Sequence, residues 1–306
     1  MDDLRNARVL VSGASGPIGN ALLAKLREAG AQITRLTRAN SKPIPPGQES
    51  IVWDPAQSIS PNLVPGFDAV VHLAGEEIVG KWTPDKKAKI RDSRVQGTQN
   101  LAEALSQTRI KPRVFVSSSA IGYYGDRGEE VLNESSAPGH GFLPDVCREW
   151  EAATAAATQA GIRTVQIRTG IVLSPKGGAL GKMLTPFKLG VGGKVGTGKQ
   201  WMSWIDVRDM ARAIDHVIRT ASLQGPVNLV SPQPVRNAEF TKTLASVLKR
   251  PAIFPVPAFV VKAVFGEMGE AVLLGSQRVE PTQLLASRYS FQFLNLRDSL
   301  QSILRS

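Results

Sequence analysis

Gly13, Gly16 and Gly19, within the run Gly13-Ala14-Ser15-Gly16-Pro17-Ile18-Gly19, are the residues whose type and spacing speak most directly of chemistry. Glycines at such intervals let a chain turn tightly and bring its amides close to a pyrophosphate at the positive end of a helix. The flanking residues give the motif its weight. Arg8 to Ser12 reads as a buried strand, and Ile18, Leu22, Leu23 and Leu26 recur at helical spacing up to a stop at Gly30.

A second chemical signal lies at the end of the next strand, Gln32 to Leu36. An acid there would take a ribose 2′-hydroxyl, whereas an Arg accommodates a 2′-phosphate. The sequence has Thr37-Arg38, with no acid until Glu49. Arg38 can fork onto a phosphate and Thr37 can donate to it, so the pattern predicts NADP(H).

These residues need a scaffold, and the rest of the chain supplies a consistent one. Short apolar runs at 50–53, 69–73, 113–118 and 164–168 alternate with helical patterns at 85–106 and 145–160. That is the signature of an α/β Rossmann fold, a doubly wound parallel sheet. Eight glycines between Gly177 and Gly198 then predict a stretch too glycine-rich for a continuous helix. Helical spacing returns at 206–220, a strand at 226–230, and a helix at 237–249 with Asn237 as its N-cap. The expected division is an NADP(H)-binding domain over 1–174, rejoined at about 205–231. Residues 175–204 and 232–306 form a smaller, mostly helical C-terminal substrate lobe. Phe259, Val260, Val264 and Phe265 give that lobe an apolar face, read as packing or homodimerisation.

The chain has 306 residues, 37 basic and 26 acidic, for a net charge of +11. The excess is uneven, +1 over residues 1–150 and +10 over 151–306, and no acid lies between Glu151 and Asp206. The lysines of that stretch stand singly, without aromatic interleaving, so an anionic cofactor or substrate is expected rather than nucleic acid. No run approaches a membrane span, the start shows no signal peptide, and the single Cys147 forms no internal disulfide. No Cys/His spacing suggests a metal. The expectation is a soluble cytoplasmic protein without membrane partners.

With these residues in place, the chain resembles the extended short-chain dehydrogenase/reductase superfamily. Its G-x-x-G-x-x-G spacing, His72-Leu73-Ala74-Gly75, Arg94-Val95-Gln96-Gly97-Thr98, Ser117-Ser118-Ser119 and Tyr123-Tyr124-Gly125-Asp126 carry the resemblance. Leu73 to Glu76, Lys81-Trp82, Trp150-Glu151, Arg168-Thr169-Gly170, Gly181 to Leu184 and Asn228 to Arg236 narrow it to one atypical branch. This is the YfcH/SDR39U1-like epimerase family, named for nucleoside-diphosphate-sugar epimerases and including proteins linked to cell or plastid division. The resemblance spans nearly the whole chain. It implies cofactor contacts at Gly13, Ser15, Gly16, Pro17, Ile18 and Gly19, and at Thr37, Arg38 and Asp54, the last beside the adenine. It further implies Leu73, Ala74 and Gly75 along the adenosine and diphosphate half, with Arg94 reaching phosphate or ribose. Arg168, Gly170 and Ile171 would stand toward the nicotinamide, and Ser117 is a further implied cofactor contact.

The superfamily's chemistry needs a Tyr as acid/base, a Lys four residues on, and a Ser that orients the substrate. Ser119 fits the Ser position, but residues 141–149 hold no Tyr-x-x-x-Lys. The catalytic nominees are therefore Ser119, Tyr123 and Tyr124, with Glu76 and Lys182 as further substitutes. Trp201 and Trp204 could stack on a flat ring or pack in the core, and His72 reads as a core histidine. Two functions follow. The first is an atypical NADP(H)-dependent reductase or epimerase-like enzyme acting on a small, anionic carbonyl or hydroxyl compound. The second is a catalytically silent NADP(H)-binding regulatory protein, linked to cell division or redox state.

Overall fold

The computed structural model describes residues 3–40 and 49–305. β1 (Arg8–Ser12) leads through the glycine loop into α1 (Pro17–Glu28), and β2 (Gln32–Thr37) and β3 (Glu49–Val52) follow. After β4 (Ala69–His72) come the long α2 (Pro84–Gln107) and β5 (Val114–Ala120). A short β6 (Val131–Leu132) precedes α3 (Phe142–Ala152), α4 (Ala155–Gln159) and β7 (Arg163–Thr169). The chain then runs through β8 (Ile171–Leu173), α5 (Gly178–Lys188), β9 (Trp201–Met202), β10 (Trp204–Asp206) and α6 (Val207–Arg219) before β11 (Gly225–Leu229). Last are β12 (Val235–Arg236), α7 (Asn237–Leu248), α8 (Ala258–Met268), β13 (Arg278–Val279), α9 (Thr282–Ala286) and α10 (Leu296–Arg305).

Seven parallel strands form one sheet in the order β11-β7-β5-β4-β1-β2-β3. The order reverses at β1, between β2 and β4, and this switch point opens a crevice at the carboxyl ends of the strands. Val9, Val11, Val71, Val116 and Ile167 pack on one face against Leu22, Leu26, Ile214 and Val217 of α1 and α6. Leu10, Val70 and Phe115 pack on the other against Leu101 and Leu105 of α2 and Ala157 of α4. A third core joins α5, α7 and α10 around Trp204, Phe240 and Leu300. Asp209, fully buried on α6, ties the tail back by accepting from the amides of Gln292 (2.9 Å) and Phe293 (2.8 Å). Among the described residues, no helix is long and apolar enough to cross a membrane.

Three local expectations change. The helix expected over 145–160 divides into α3 and α4. Thr154 donates to the Glu151 carbonyl (2.7 Å) and accepts from Gln166 (2.8 Å), which diverts the backbone from the helix ladder. Within the glycine-rich stretch an eleven-residue helix, α5, does form. Leu180, Leu184 and Phe187 make a buried stripe that overrides two interior glycines and Pro186, while the later glycines lie beyond it. Asn237 is the first residue of α7 rather than its cap, and its side-chain oxygen accepts from the Val195 amide (2.8 Å).

Candidate functional site

The glycine loop is built around close backbone approaches. Gly13 has φ +65°, and a Cβ there would stand 2.6 Å from the Leu73 carbonyl carbon. A Cβ on Gly19 would stand 2.4 Å from the Gly13 oxygen. Gly16 differs, since its Cβ would meet only the Gly13 oxygen, at 3.5 Å. Two of the glycines thus close the turn, while the third keeps its outer side open. Gly16 is also the N-cap of α1 and Pro17 follows it, so no side chain occupies the free amides of the first turn. Asn20 braces the loop by donating to the carbonyls of Ser15 (2.9 Å) and Gly16 (3.0 Å). Ser15 is exposed and Ile18 half-buried.

Across the switch point, Leu73 and Ala74 donate their amides to Ser12 Oγ (3.1 and 3.3 Å), and Ser12 bonds His72 Nδ1 (2.7 Å). Gly75 faces Arg94, whose guanidinium carbon would lie 3.4 Å from a Cβ there. Arg94 Nη1 donates to the carbonyls of Glu76 (3.0 Å) and Ile90 (3.1 Å), and its cation sits 5.0 Å from the Trp150 ring centroid. Thr37 is half-buried and Arg38 exposed at the end of β2. Asp54, also exposed, accepts from the Ala56 amide at 3.1 Å. Lys86 holds the Glu76 carboxyl below the usual carboxylate range by a 2.7 Å hydrogen bond, with Lys89 and Arg38 adding to the effect. Lys182 pairs with Glu77, and Gly177 lies against Pro17, so α5 borders the same crevice.

Beyond this cradle lies a closed polar network. Ser119 Oγ donates to Glu151 Oε1 (2.7 Å), and Arg168 engages both oxygens of the same carboxylate (2.8 and 2.9 Å). Arg168 Nη1 also donates to Tyr124 Oη (3.0 Å) and to the Glu134 carbonyl (3.3 Å). Tyr124 donates to Asn228 Oδ1 (2.8 Å), and Asn228 Nδ2 donates to the Glu280 carbonyl (3.0 Å). The Arg168 side chain is 3% exposed and Glu151 15%, so this is a buried, two-pronged ion pair. Tyr123, half-buried, lays its ring 3.5 Å from the Arg168 guanidinium carbon. Burial pushes the Tyr124 phenol up to about 12, against the pull of Arg168.

The model of the NAD dependent epimerase/dehydratase family matches residues 9–229, and that of a domain of unknown function, DUF1731, matches 256–303. The chain belongs to the NAD dependent epimerase/dehydratase family. It is 40% identical over 292 residues to the epimerase family protein Mb2239 of Mycobacterium bovis, covering 95% of this chain and 94% of that one. It is 36% identical over 300 residues to the human epimerase family protein SDR39U1, covering 97% and 99%. A crystal structure of human SDR39U1 with NADPH superposes with a TM-score of 0.89 at 35% identity, covering 98% of this chain and 99% of that one.

The first turns of α3 face the end of β5. The residues there, four apart, are Leu143 and Cys147. A Cβ on Gly122 would meet Leu143 Cβ at 3.5 Å and Cys147 Sγ at 3.8 Å. The Cys147 thiol is pushed up to about 12 by burial first and the Glu151 carboxylate second, although Arg94 and Arg168 act the other way. It is no base at neutral pH.

The structure therefore gathers Ser119, Tyr123, Tyr124 and Arg168 in one place, but turns most of their polar atoms inward. Arg168, expected toward the nicotinamide, gives its guanidinium to the Glu151 carboxylate, because a buried cation needs a carboxylate. Gly170 is set by packing, since a Cβ there would stand 2.6 Å from both Ser203 O and Val230 Cγ1. Ser117 is fully buried, and Ile171 half-buried on β8. Trp204 is buried with its indole N–H on the Gln233 carbonyl (2.8 Å). The Trp201 ring has Arg236 and Arg278 within 4.4 and 4.7 Å. Both indoles are thus engaged within the protein. Glu151 was the partner that sequence reasoning missed as a site residue. The available signal was Arg168 itself, a cation directly after Val165-Gln166-Ile167 in a strand otherwise read as buried.

His72 carries a stability prediction. It is fully buried, and desolvation holds its imidazole at about 4 rather than near 6.5. Below pH 6.5 the unfolded chain takes up this proton before the folded one does. The stability is therefore complete above pH 6.5 and falls by about 3 kcal/mol as the pH drops toward 4. Melting curves of the wild type and His72→Asn across that window should converge as the pH falls, since the variant lacks this loss. Parallel curves would refute the assignment.

Proposed function

We propose that this chain binds NADP(H) in the switch-point crevice and does so without the Tyr–Lys proton relay usual in its superfamily. The observation that carries this reading is the contrast between the open cradle at Gly16 and the apolar pair Leu143/Cys147 on α3. The cofactor crystallised with human SDR39U1 supports the choice of NADPH.

The residues present fit that cofactor. The free amides at the start of α1 would take the diphosphate, with Gly13, Ser15, Gly16, Pro17, Ile18 and Gly19 shaping its seat. Thr37 and Arg38 would take the 2′-phosphate and Asp54 the adenine amino group. Leu73, Ala74 and Gly75 would line the adenosine and diphosphate half, with Arg94 supplying charge below. Ser117, Gly170 and Ile171 would bound the nicotinamide end, and Arg168 would support it through Glu151 rather than by touching it. When bound, NADPH supplies a hydride; burial holds the nearby Tyr124 phenol and Cys147 thiol each up to about 12, so neither gives up its proton at neutral pH. This supports a cofactor-responsive binding protein.

A second reading, a reductase or epimerase-like enzyme on a small anionic carbonyl compound, is favoured by Tyr123. Its hydroxyl stands outside the Ser119–Glu151–Arg168–Tyr124 chain of hydrogen bonds, and Ser119 Oγ keeps a lone pair to orient a substrate.

One experiment tests both. Purified protein is titrated with NADPH by nicotinamide fluorescence, then screened for NADPH oxidation with carbonyl compounds. Wild type should bind, and Gly16→Ala should lose at least about tenfold in affinity with an unchanged melting temperature, because the added methyl fills only the cradle. Gly19→Ala should instead lower the melting temperature, since backbone must move. Equal binding by Gly16→Ala would remove the cradle from the site. Turnover that vanishes in Tyr123→Phe with binding retained would establish the enzyme.

A further inference from the structure

The C-terminal lobe carries an apolar face that neither the crevice nor the core uses. Leu189 is 73% exposed, Ile253 71%, Phe259 74%, and Val191 and Phe254 56% each. The first two segments run side by side. Gly190 abuts Pro251, Gly193 abuts the Phe254 carbonyl, and Val195 bridges Val256 in parallel. Val256 donates its amide to Lys194 O (2.8 Å), and Gly196 donates to Val256 O (2.8 Å). Leu189, Val191, Ile253 and Phe254 thus crown two adjoining loops, with Phe259 in the first turn of α8 just beyond. Of the two expectations for this face, packing within the chain does not hold for Phe259 and Val264, the latter also 61% exposed.

The charge around this face has one sign. Lys188, Lys194, Lys242, Lys249 and Arg250 are all exposed on these segments, on α7 and just past its end. No carboxylate occurs between Glu151 and Asp206, or between Glu239 and Glu267. The neighbouring Lys182 and Lys262 pair with Glu77 and Glu270, outside those intervals. Lys194 and Lys242 also line a shallow groove of about 260 Å³, with Ala238, Ala245, Ala252 and Ile253 as its apolar wall.

We propose that this face adsorbs to an anionic bilayer surface. Large apolar side chains on loop tips would enter the headgroup region, while the long, exposed lysines would meet lipid phosphates. A second copy of the chain is a poorer occupant. A two-fold interface would set the same cations against one another with no carboxylate between them. The adsorption differs from spanning and uses no long helix.

The full chain is sedimented with phosphatidylcholine vesicles with and without phosphatidylglycerol. It should partition at least about tenfold more onto the anionic vesicles, and added salt should release it. Ile253→Ser with Phe254→Ser, and separately Lys194→Glu with Lys242→Glu, should each lower partitioning about tenfold. Their melting temperatures should not change, since all four side chains are exposed. Absence of binding to anionic vesicles, or binding unaffected by both variants, overturns the proposal. A dimer in sedimentation equilibrium that the Ile253/Phe254 variant dissociates would also overturn it, assigning the face to a second copy.

Discussion

Replacing Arg38 with Asp is expected to weaken NADPH about ten- to a hundredfold while leaving NADH unchanged or improved. Arg38 is exposed at the end of β2, beside Thr37, in the field that also reaches Glu76. Losing one charge-assisted contact costs roughly 1.5–3 kcal/mol, and the introduced carboxylate adds repulsion toward a 2′-phosphate. The same carboxylate can accept from the 2′-hydroxyl of NADH, so the ratio of the two affinities should move further than either alone. Fluorescence titrations with both cofactors measure that ratio. Equal weakening of NADPH and NADH would remove Arg38 from the 2′-phosphate position, and with it the reason for preferring NADP(H).

Glu151→Gln should strongly destabilise the folded state. It leaves the Arg168 guanidinium, 3% exposed, without the carboxylate that both of its prongs grip. Breaking a buried pair by removing one partner costs about 3–5 kcal/mol. In a chain of this size that is a fall in melting temperature on the order of 10 °C. The double variant Glu151→Gln/Arg168→Met should recover much of the loss, because no unpaired charge then remains inside. Thermal denaturation of the two single variants and the double separates the outcomes. A double variant no better than Glu151→Gln would show that the pair stabilises through its geometry rather than by cancelling charge. The same series bears on function. If the network serves only to hold β5, β7 and α3 together, the double variant binds NADPH like the wild type.

How much of this was legible in the residues differs between the two halves of the site. The glycine loop was readable because its signal is local: a buried strand, three glycines and an amphipathic helix lie within Arg8–Glu28, and the backbone geometry follows from them. The position of Thr37-Arg38 was readable for the same reason, being the end of a strand whose place beside β1 the alternating pattern already implied. The apolar pair on α3 was half legible. The lack of Tyr-x-x-x-Lys could be seen, but which two residues face β5 depends on how α3 docks.

The network was not legible at all as a network. Ser119, Glu151, Arg168, Tyr124 and Asn228 are separated by up to 109 positions, and each alone has an ordinary meaning. Only the side-by-side placement of β5, β7 and β11 brings them within hydrogen-bond distance. The same holds for the lobe. Its composition announced an excess of positive charge, while the exposure of Leu189, Ile253, Phe254 and Phe259 depended on which face of each segment the core claimed.

The amino-acid order by itself thus determined the α/β architecture and the glycine cradle, because each rests on contacts between residues close in the chain. What the polar side chains beyond the cradle do was decided only by tertiary structure. A buried cation takes whichever carboxylate the fold brings to it, and the chain carries no local mark of that choice.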